Sequence, residues 1–337
     1  MKYSAEKKKA IVLYILEKIS SGTQSLSSVV AEAFGISTNT VHSYLNELIA
    51  DKIIEKHKRG EYALITKRSN YLFQRNAGEL QSDMIAYEKC LKNQISHLGE
   101  NVKHIWEYAL SEMVNNVIDH SGAENMQVIV AHNYFKTYVC VLDDGIGIFE
   151  KIKAHFSLAS LDEAVCELFK GKLTTDATRH SGEGIFFTSR MMDSFLISSD
   201  GKIFTTTKYS NDNFLSVDED ADGTCVFMSL SNFTNRTARE VFDAFSNDDG
   251  GFTTTKIPLK SIFDSAPVSR SQAKRICNRL ESFEEVVLDF EDVSWMGQGF
   301  AHQIFVVYKN LHPEVSIKPI NMGPDVESMY LHVTKGS

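Results

Sequence analysis

The feature that most constrains this chain is V-C-V-L-D-D-G-I-G-I-F, residues 139–149. An apolar run of this kind reads as a buried strand, so the chain has to build a sheet around it. Asp143 stands at the strand end, and Gly145 and Gly147 follow. A buried carboxylate there suits recognition of an exocyclic amine, and two glycines leave the backbone free to approach a flat ring. A tight acidic turn or a calcium loop would use the same residues. A calcium loop, however, needs further carboxylates at alternate positions, where Ile146 and Ile148 stand.

Three further elements surround this one. In A-L-S-E-M-V-N-N-V-I-D-H-S (109–121), Glu112 and Asn116 are four apart and share one helix face, where a carboxylate and an amide oxygen can orient a water and hold a hard cation. In T-T-D-A-T-R-H-S-G-E-G-I-F-F-T-S-R (174–190), Gly182 and Gly184 open an apolar helical run, whose unpaired N–H groups suit phosphates. In D-G-T-C-V-F-M-S-L (222–230), Thr224 heads a strand. Taken singly, each also fits an ordinary helix face or turn; the ordered set is far more specific.

That order, E-x-x-x-N, D-x-G-x-G, a flexible segment, G-x-G and G-T, resembles the GHKL ATPases, the family named for gyrase, heat-shock chaperone, histidine kinase and mismatch-repair protein. The resemblance covers residues 96–232 and implies a Bergerat α/β sandwich that binds ATP and Mg2+. It implies that Asn116 binds the magnesium bridging the phosphates and that Glu112 orients or activates the attacking nucleophile. Asp143 would accept from the adenine amine, aided by a water on Thr224, and Gly145 and Gly147 would let the ring approach. Gly182 and Gly184 would cradle phosphates, and His120 matches a position often His in the kinase branch. Residues 150–181 would form a mobile lid, with Lys172, Thr174, Thr175 and Arg179 as phosphate-side candidates. His180 stands where a further glycine is common in that family.

Upstream, apolar residues at helical spacing from Ser4 to Ile19, a short helix from Ser25 to Phe34 closed by Gly35, and a third helix capped by Ser37 with Val41, Leu45, Leu48 and Ile49 inward have helix-turn-helix grammar. The alternating I-I-E-K-H-K-R-G-E-Y-A-L-I that follows turns at Arg59-Gly60 and reads as a hairpin. Residues 1–66 thus resemble a winged helix-turn-helix. Thr38, Asn39, Thr40, His42, Ser43 and Tyr44 would enter a DNA major groove, and Lys56, Lys58 and Arg59 would meet phosphate. A protein-binding winged helix would share this pattern.

Residues 67–95 are expected to be a helical linker, since 67–110 runs almost without Pro or Gly, and helices there could also build a homodimer interface. From 233 to 337 the pattern alternates: a helix over 269–283, a buried strand V-V-L-D-F (286–290), an apolar helix from Gly299 to Tyr308, a strand at 315–321 and a last helix from Asp325 to Val333. L-D-F-E-D-V-S-W-M-G-Q-G-F-A looks like a STAS-type domain, the fold of anti-sigma factor antagonists, in which a phosphorylatable Ser opens the helix after this strand. Here Met296, Gly297, Gln298 and Gly299 occupy the turn, so a small STAS-like α/β domain without that switch is expected. The fold class is then a multi-domain α+β and α/β chain.

Charge supports the division. The 337 residues carry 35 Lys and Arg against 44 Asp and Glu. Residues 1–70 hold 11 basic against 7 acidic groups and the remainder 24 against 37, so only the head suits a polyanion. Five scattered cysteines without a C-x-x-C pair read as reduced, mostly buried thiols. The Lys7–Lys9 run before Ala10 imitates a signal peptide but lacks a cleavage pattern, and no stretch approaches the ~20 apolar residues of a membrane span. The cytoplasm is the expected compartment. The function these readings imply is a DNA-binding transcriptional regulator gated by Mg-ATP binding or slow hydrolysis, with a regulatory protein partner on the STAS-like domain. A serine protein kinase of the anti-sigma type and a non-catalytic ATP sensor are the alternatives. A sensor histidine kinase is the least supported, because His97 lacks the acidic residue and later Pro of an H-box.

Overall fold

The computed structural model describes residues 3–58, 60–173, 182–206, 222–263 and 265–335. The N-terminal unit comprises α1 (Ala5–Ser20), α2 (Leu26–Phe34), α3 (Thr38–Ala50) and an antiparallel pair, β1 (Ile54–Lys58) and β2 (Glu61–Leu64). Local chemistry sets these boundaries. The Ser4 side chain accepts from the Lys7 N–H and Ser37 from the Thr40 N–H, which satisfies donors that a helix start leaves open. Gly35 ends α2 with φ +60°, a conformation that glycine adopts without a Cβ clash. Ile11, Ile15, Leu16, Val30, Val41 and Leu45 then bury one face of each helix in a small core of their own.

Residues 67–74 depart from the linker expectation. They form β3 (Lys67–Gln74), paired antiparallel along its whole length with β4 (Asn125–His132). Tyr71 and Phe73 point to the core and Leu72 is 55% exposed, a two-residue alternation that a helix would scramble. β5 (Lys136–Asp143), β6 (Ser194–Ser199), β7 (Lys202–Thr205) and β8 (Thr224–Ser231) complete a six-stranded antiparallel sheet in the order β3-β4-β5-β8-β6-β7. His97, read as helical, sits exposed in a turn.

Helices cover one face of this sheet. α4 (Asp83–Tyr87) runs into a π-helical turn at Glu88–Lys92, and α5 (Glu100–Asn116) ends in another at Val117–Ser121. α6 (Ile148–His155), α7 (Leu161–Lys170) and α8 (Gly184–Met191) follow. Ile105, Trp106, Leu110 and Met113 of α5 share a core with Val128, Val139, Val141 and Met228 of the sheet.

The C-terminal unit holds α9 (Ala238–Asp243), β9 (Thr254–Pro258), α10 (Leu259–Ile262), α11 (Arg270–Cys277), β10 (Glu285–Asp289), α12 (Gln298–His302), α13 (Lys309–Leu311), β11 (Ser316–Ile320) and α14 (Pro324–Lys335). Its three strands are parallel in the order β11-β10-β9, with α11 and α12 in the crossovers that parallel neighbours require. The helix expected over 269–283 stops at Cys277, because Arg279 turns the chain at φ +60°. The apolar core does not divide at residue 232: one contiguous cluster runs from Phe73 to Val333. Among the described residues, no helix is long and apolar enough to cross a membrane.

Candidate functional site

A cavity of about 250 Å³ opens where β5 ends and β8 begins, under α5, α6, the end of α7 and the start of α8. Glu112 and Asn116 line it, one turn apart on α5, as do His120, Asp143, Gly182, Gly184 and Thr224. Residues up to 114 positions apart in the chain, from Glu112 to Val226, thus reach one opening. The sheet register does part of this, because Asp143, the last residue of β5, lies opposite Thr224, the first of β8.

Asp143 Oδ1 accepts from the Gly145 N–H at 2.9 Å. Burial pushes its carboxyl up to about 6, against the opposing pull of the Gly145 and Thr224 N–H groups, while Asp144 next door adds to the rise. Asp144 plays a different part. Its carboxylate accepts from the Glu124 and Asn125 N–H groups and from Asn125 Nδ2, which ties the loop to β4 and holds this carboxyl below the usual range.

The glycines of the loop answer to close approach by the protein's own groups. A Cβ on Gly145 would fall on the Ser121 carbonyl, and one on Gly147 on the Asp200 carboxylate. The Ile146 N–H donates to Ser121 O at 2.8 Å, and the Ile148 N–H is shared by the hydroxyls of Ser199 and Thr224. Gly145 and Gly147 therefore shape the loop that presents Asp143, and neither lines the cavity. Gly182 (φ +71°) packs on the Leu173 backbone, and Gly184 stands so close to the Glu112 carboxylate that a Cβ there would displace the end of that side chain. The first turn of α8 thus opens beside Glu112.

Sequence reasoning missed Lys151. It lines the cavity, its Nζ donates to the carbonyl of His120, and burial lowers its pKa. Its position four residues after Gly147, one turn into the following helix, was the available signal.

Lys172, expected on the phosphate side, points elsewhere. The chain turns at Gly171 (φ +80°) and Lys172 (φ +51°), which sets Gly171 and Leu173 toward the cavity and Lys172 away from it. Its Nζ donates to Ser282 O at 2.6 Å and lies over the Phe283 ring. Of residues 150–181, expected as a mobile lid, the end of α7 is held by the C-terminal unit. Lys170 and Glu167 are 1% and 2% exposed and pair at 2.6 Å. The other two donors of the Lys170 ammonium go to the Arg275 and Asn278 carbonyls, and Glu167 also accepts from Arg279 and Asn278. Thr174, Thr175, Arg179 and His180 lie outside the described residues.

On the N-terminal unit, Thr38, Asn39, His42 and Ser43 are exposed along α3, and Asn46 extends their face by a turn. Thr40 is half-buried with its hydroxyl 2.9 Å from that of Ser37. Tyr44, expected to face outward, is buried with Val41, Leu45 and Leu48. Lys56 and Lys58 are exposed on β1; Arg59 lies outside the described residues.

Comparison with known proteins reaches one end of the chain. The family described as a STAS-like domain of unknown function (DUF4325) matches residues 272–327, from α11 into α14. Gln298 opens α12 there, so no hydroxyl stands at that helix start, as the sequence led us to expect. No curated protein matches the chain. The C-terminal unit is STAS-like, in a mixed α/β chain of several domains.

Proposed function

We propose that residues 96–232 are a GHKL-type domain that binds Mg-ATP in the cavity, and that the chain is a DNA-binding regulator gated by that nucleotide. The observation that carries this reading is the convergence of Glu112 and Asn116, Asp143, Gly182 and Gly184, and Thr224 on one opening. In it, Asp143 accepts from the adenine amine beside Thr224, and the start of α8 receives the phosphates, with Lys151 as a further cation. Asn116 offers its amide oxygen to magnesium and Glu112 positions the nucleophile. Magnesium uses few protein ligands and takes the rest from phosphate and water, so it fits a site where, among the described residues, no cluster of three His, Cys, Asp or Glu exists. When bound, the ion would offset phosphate charge.

The exposed α3 face and the Lys56 and Lys58 hairpin support DNA as the output of residues 1–66 as a winged helix. STAS-like domains often bind proteins, which supports a protein partner as the input. Operator DNA affinity measured with and without Mg-ATP tests the gating; equal affinity in both conditions rejects it. A second reading, a serine kinase acting on a separate STAS protein, draws on the pairing of a GHKL-type domain with a STAS-like one, and the missing acceptor at Gln298 counts against it. Radiolabelled ATP with candidate STAS partners decides that reading, and Glu112→Ala separates turnover from binding alone.

A further inference from the structure

Alternate residues of β5 and β8 face away from the helices. Val139, Val141, Val226 and Met228 enter the main core, whereas Tyr138 and Phe227 form a small second cluster with Ala131 on the opposite face. Cys140 and Cys225 belong to that second face. The register sets Cys140 opposite Phe227 and Cys225 opposite Leu142, so the cysteines are diagonal neighbours across the two strands. Their sulfurs lie 3.3 Å apart, and both thiols are free. Cys140 is buried and Cys225 partly exposed, which gives a solvent-borne oxidant one sulfur to meet and a second one behind it.

We propose that Cys140 and Cys225 are a redox pair that closes to a disulfide across β5 and β8 on reaction with hydrogen peroxide. The Cys225 thiolate attacks one peroxide oxygen; the O–O bond breaks, and the departing hydroxide takes a proton to become water. Cys225 is left as a sulfenic acid. The Cys140 sulfur then attacks the Cys225 sulfur, the S–O bond breaks, and the released hydroxide combines with the Cys140 proton as a second water. The two thiols lose two electrons in total and the peroxide gains them.

Bonding draws the sulfurs from 3.3 Å to about 2.0 Å, which pulls on a ladder whose nearby positions are Thr224, adjacent to Cys225, and Asp143, three residues from Cys140. Oxidation therefore alters the cavity, a consequence that rests on the nucleotide reading above. The same hydrogen bond that raises the Cys140 thiol lowers that of Cys225, in keeping with Cys225 as the attacking group. Cys90, Cys166 and Cys277 are buried, and burial pushes them up to about 12, 11 and 12.

The test uses the full chain treated with hydrogen peroxide, then alkylated and mapped by mass spectrometry. The expected result is a Cys140–Cys225 cross-linked peptide, reversed by a thiol reductant and absent from C140S and C225S, with a dimedone adduct on Cys225 in C140S. Independent alkylation of both cysteines after peroxide treatment, or a cross-link to another cysteine, overturns the pair. Mg-ATP titration of the reduced and cross-linked forms should differ by roughly tenfold. Equal affinities overturn the effect on the cavity, whereas failure of the reduced protein to bind at all overturns the nucleotide reading and leaves the peptide map to decide the redox pair.

Discussion

The two ends of this chain are attached to the central sheet in opposite ways. The N-terminal unit keeps its own core and meets the rest through a few groups: Phe135 from the β4–β5 turn enters that core, Phe233 packs beside it, and Asn133 donates to Thr66. The STAS-like unit shares a single apolar core with the sheet and adds a buried Lys170–Glu167 pair capped by Arg279 and two carbonyls. A separate core makes a module that can reorient or be removed, and a shared core makes a unit that folds with its neighbour. Under the proposed gating this assigns the movable output to the head, while the STAS-like unit braces the end of α7, which lines the cavity through Leu168.

The comparison breaks first, and by the largest effect, under truncation. Removing residues 1–66 is expected to leave a cooperatively unfolding protein, whereas ending the chain at residue 232 should abolish cooperative unfolding, both followed by circular dichroism. Lys170→Met attacks the shared core at one point. It leaves the buried Glu167 carboxylate with only Arg279 and the Asn278 amide and should cost about 3–5 kcal/mol in chemical denaturation, much of it recovered when Glu167→Leu is added.

Gly145→Ala and Gly184→Ala separate frame from site. The first puts a methyl against the Ser121 backbone and should cost about 1–3 kcal/mol in stability. The second meets only the end of the Glu112 side chain, so stability should hold while nucleotide turnover falls.

Much of the head and the cavity was legible in the sequence because caps, glycines and strand ends are local signals. Ser37 and Gly35 end helices by their own chemistry, and Asp143 needs only its strand to reach the opening. What the sequence hid depends on tertiary placement. Glu167 and Lys170, three apart on an amphipathic helix, read like a solvated surface pair until α11 covers them. Lys172 was misassigned because its direction follows from a positive φ, not from its neighbours. Tyr44 was legible: with Val41, Leu45 and Leu48 it completes an inward stripe that its polar surroundings obscured. β3 alternates by two, and the absence of Pro and Gly around it was no evidence for a helix.

Two smaller effects sharpen the division between head and cavity. Asp143 titrates near 6 in the fold, above an ordinary aspartate, so its neutral form is favoured there. It adds stability below the ordinary aspartate pKa, and that stability is lost as pH rises through about 6. The carboxylate accepts from an adenine amine more strongly than the neutral carboxyl does, so nucleotide affinity should rise between about pH 5 and pH 7 by more in the wild type than in Asp143→Asn, the phosphate titration being common to both. On the head, Asn39→Ala or His42→Ala should each weaken DNA binding by about 1–3 kcal/mol, while Tyr44→Phe leaves it unchanged because that ring faces the core.

The most direct test is calorimetric titration of the full chain with Mg-ATP, alongside Asn116→Ala and Asp143→Ala. The account predicts binding at one site per chain that each substitution weakens at least roughly tenfold while the circular dichroism spectrum is preserved. No binding by the wild type, or equal binding by all three proteins, would contradict it.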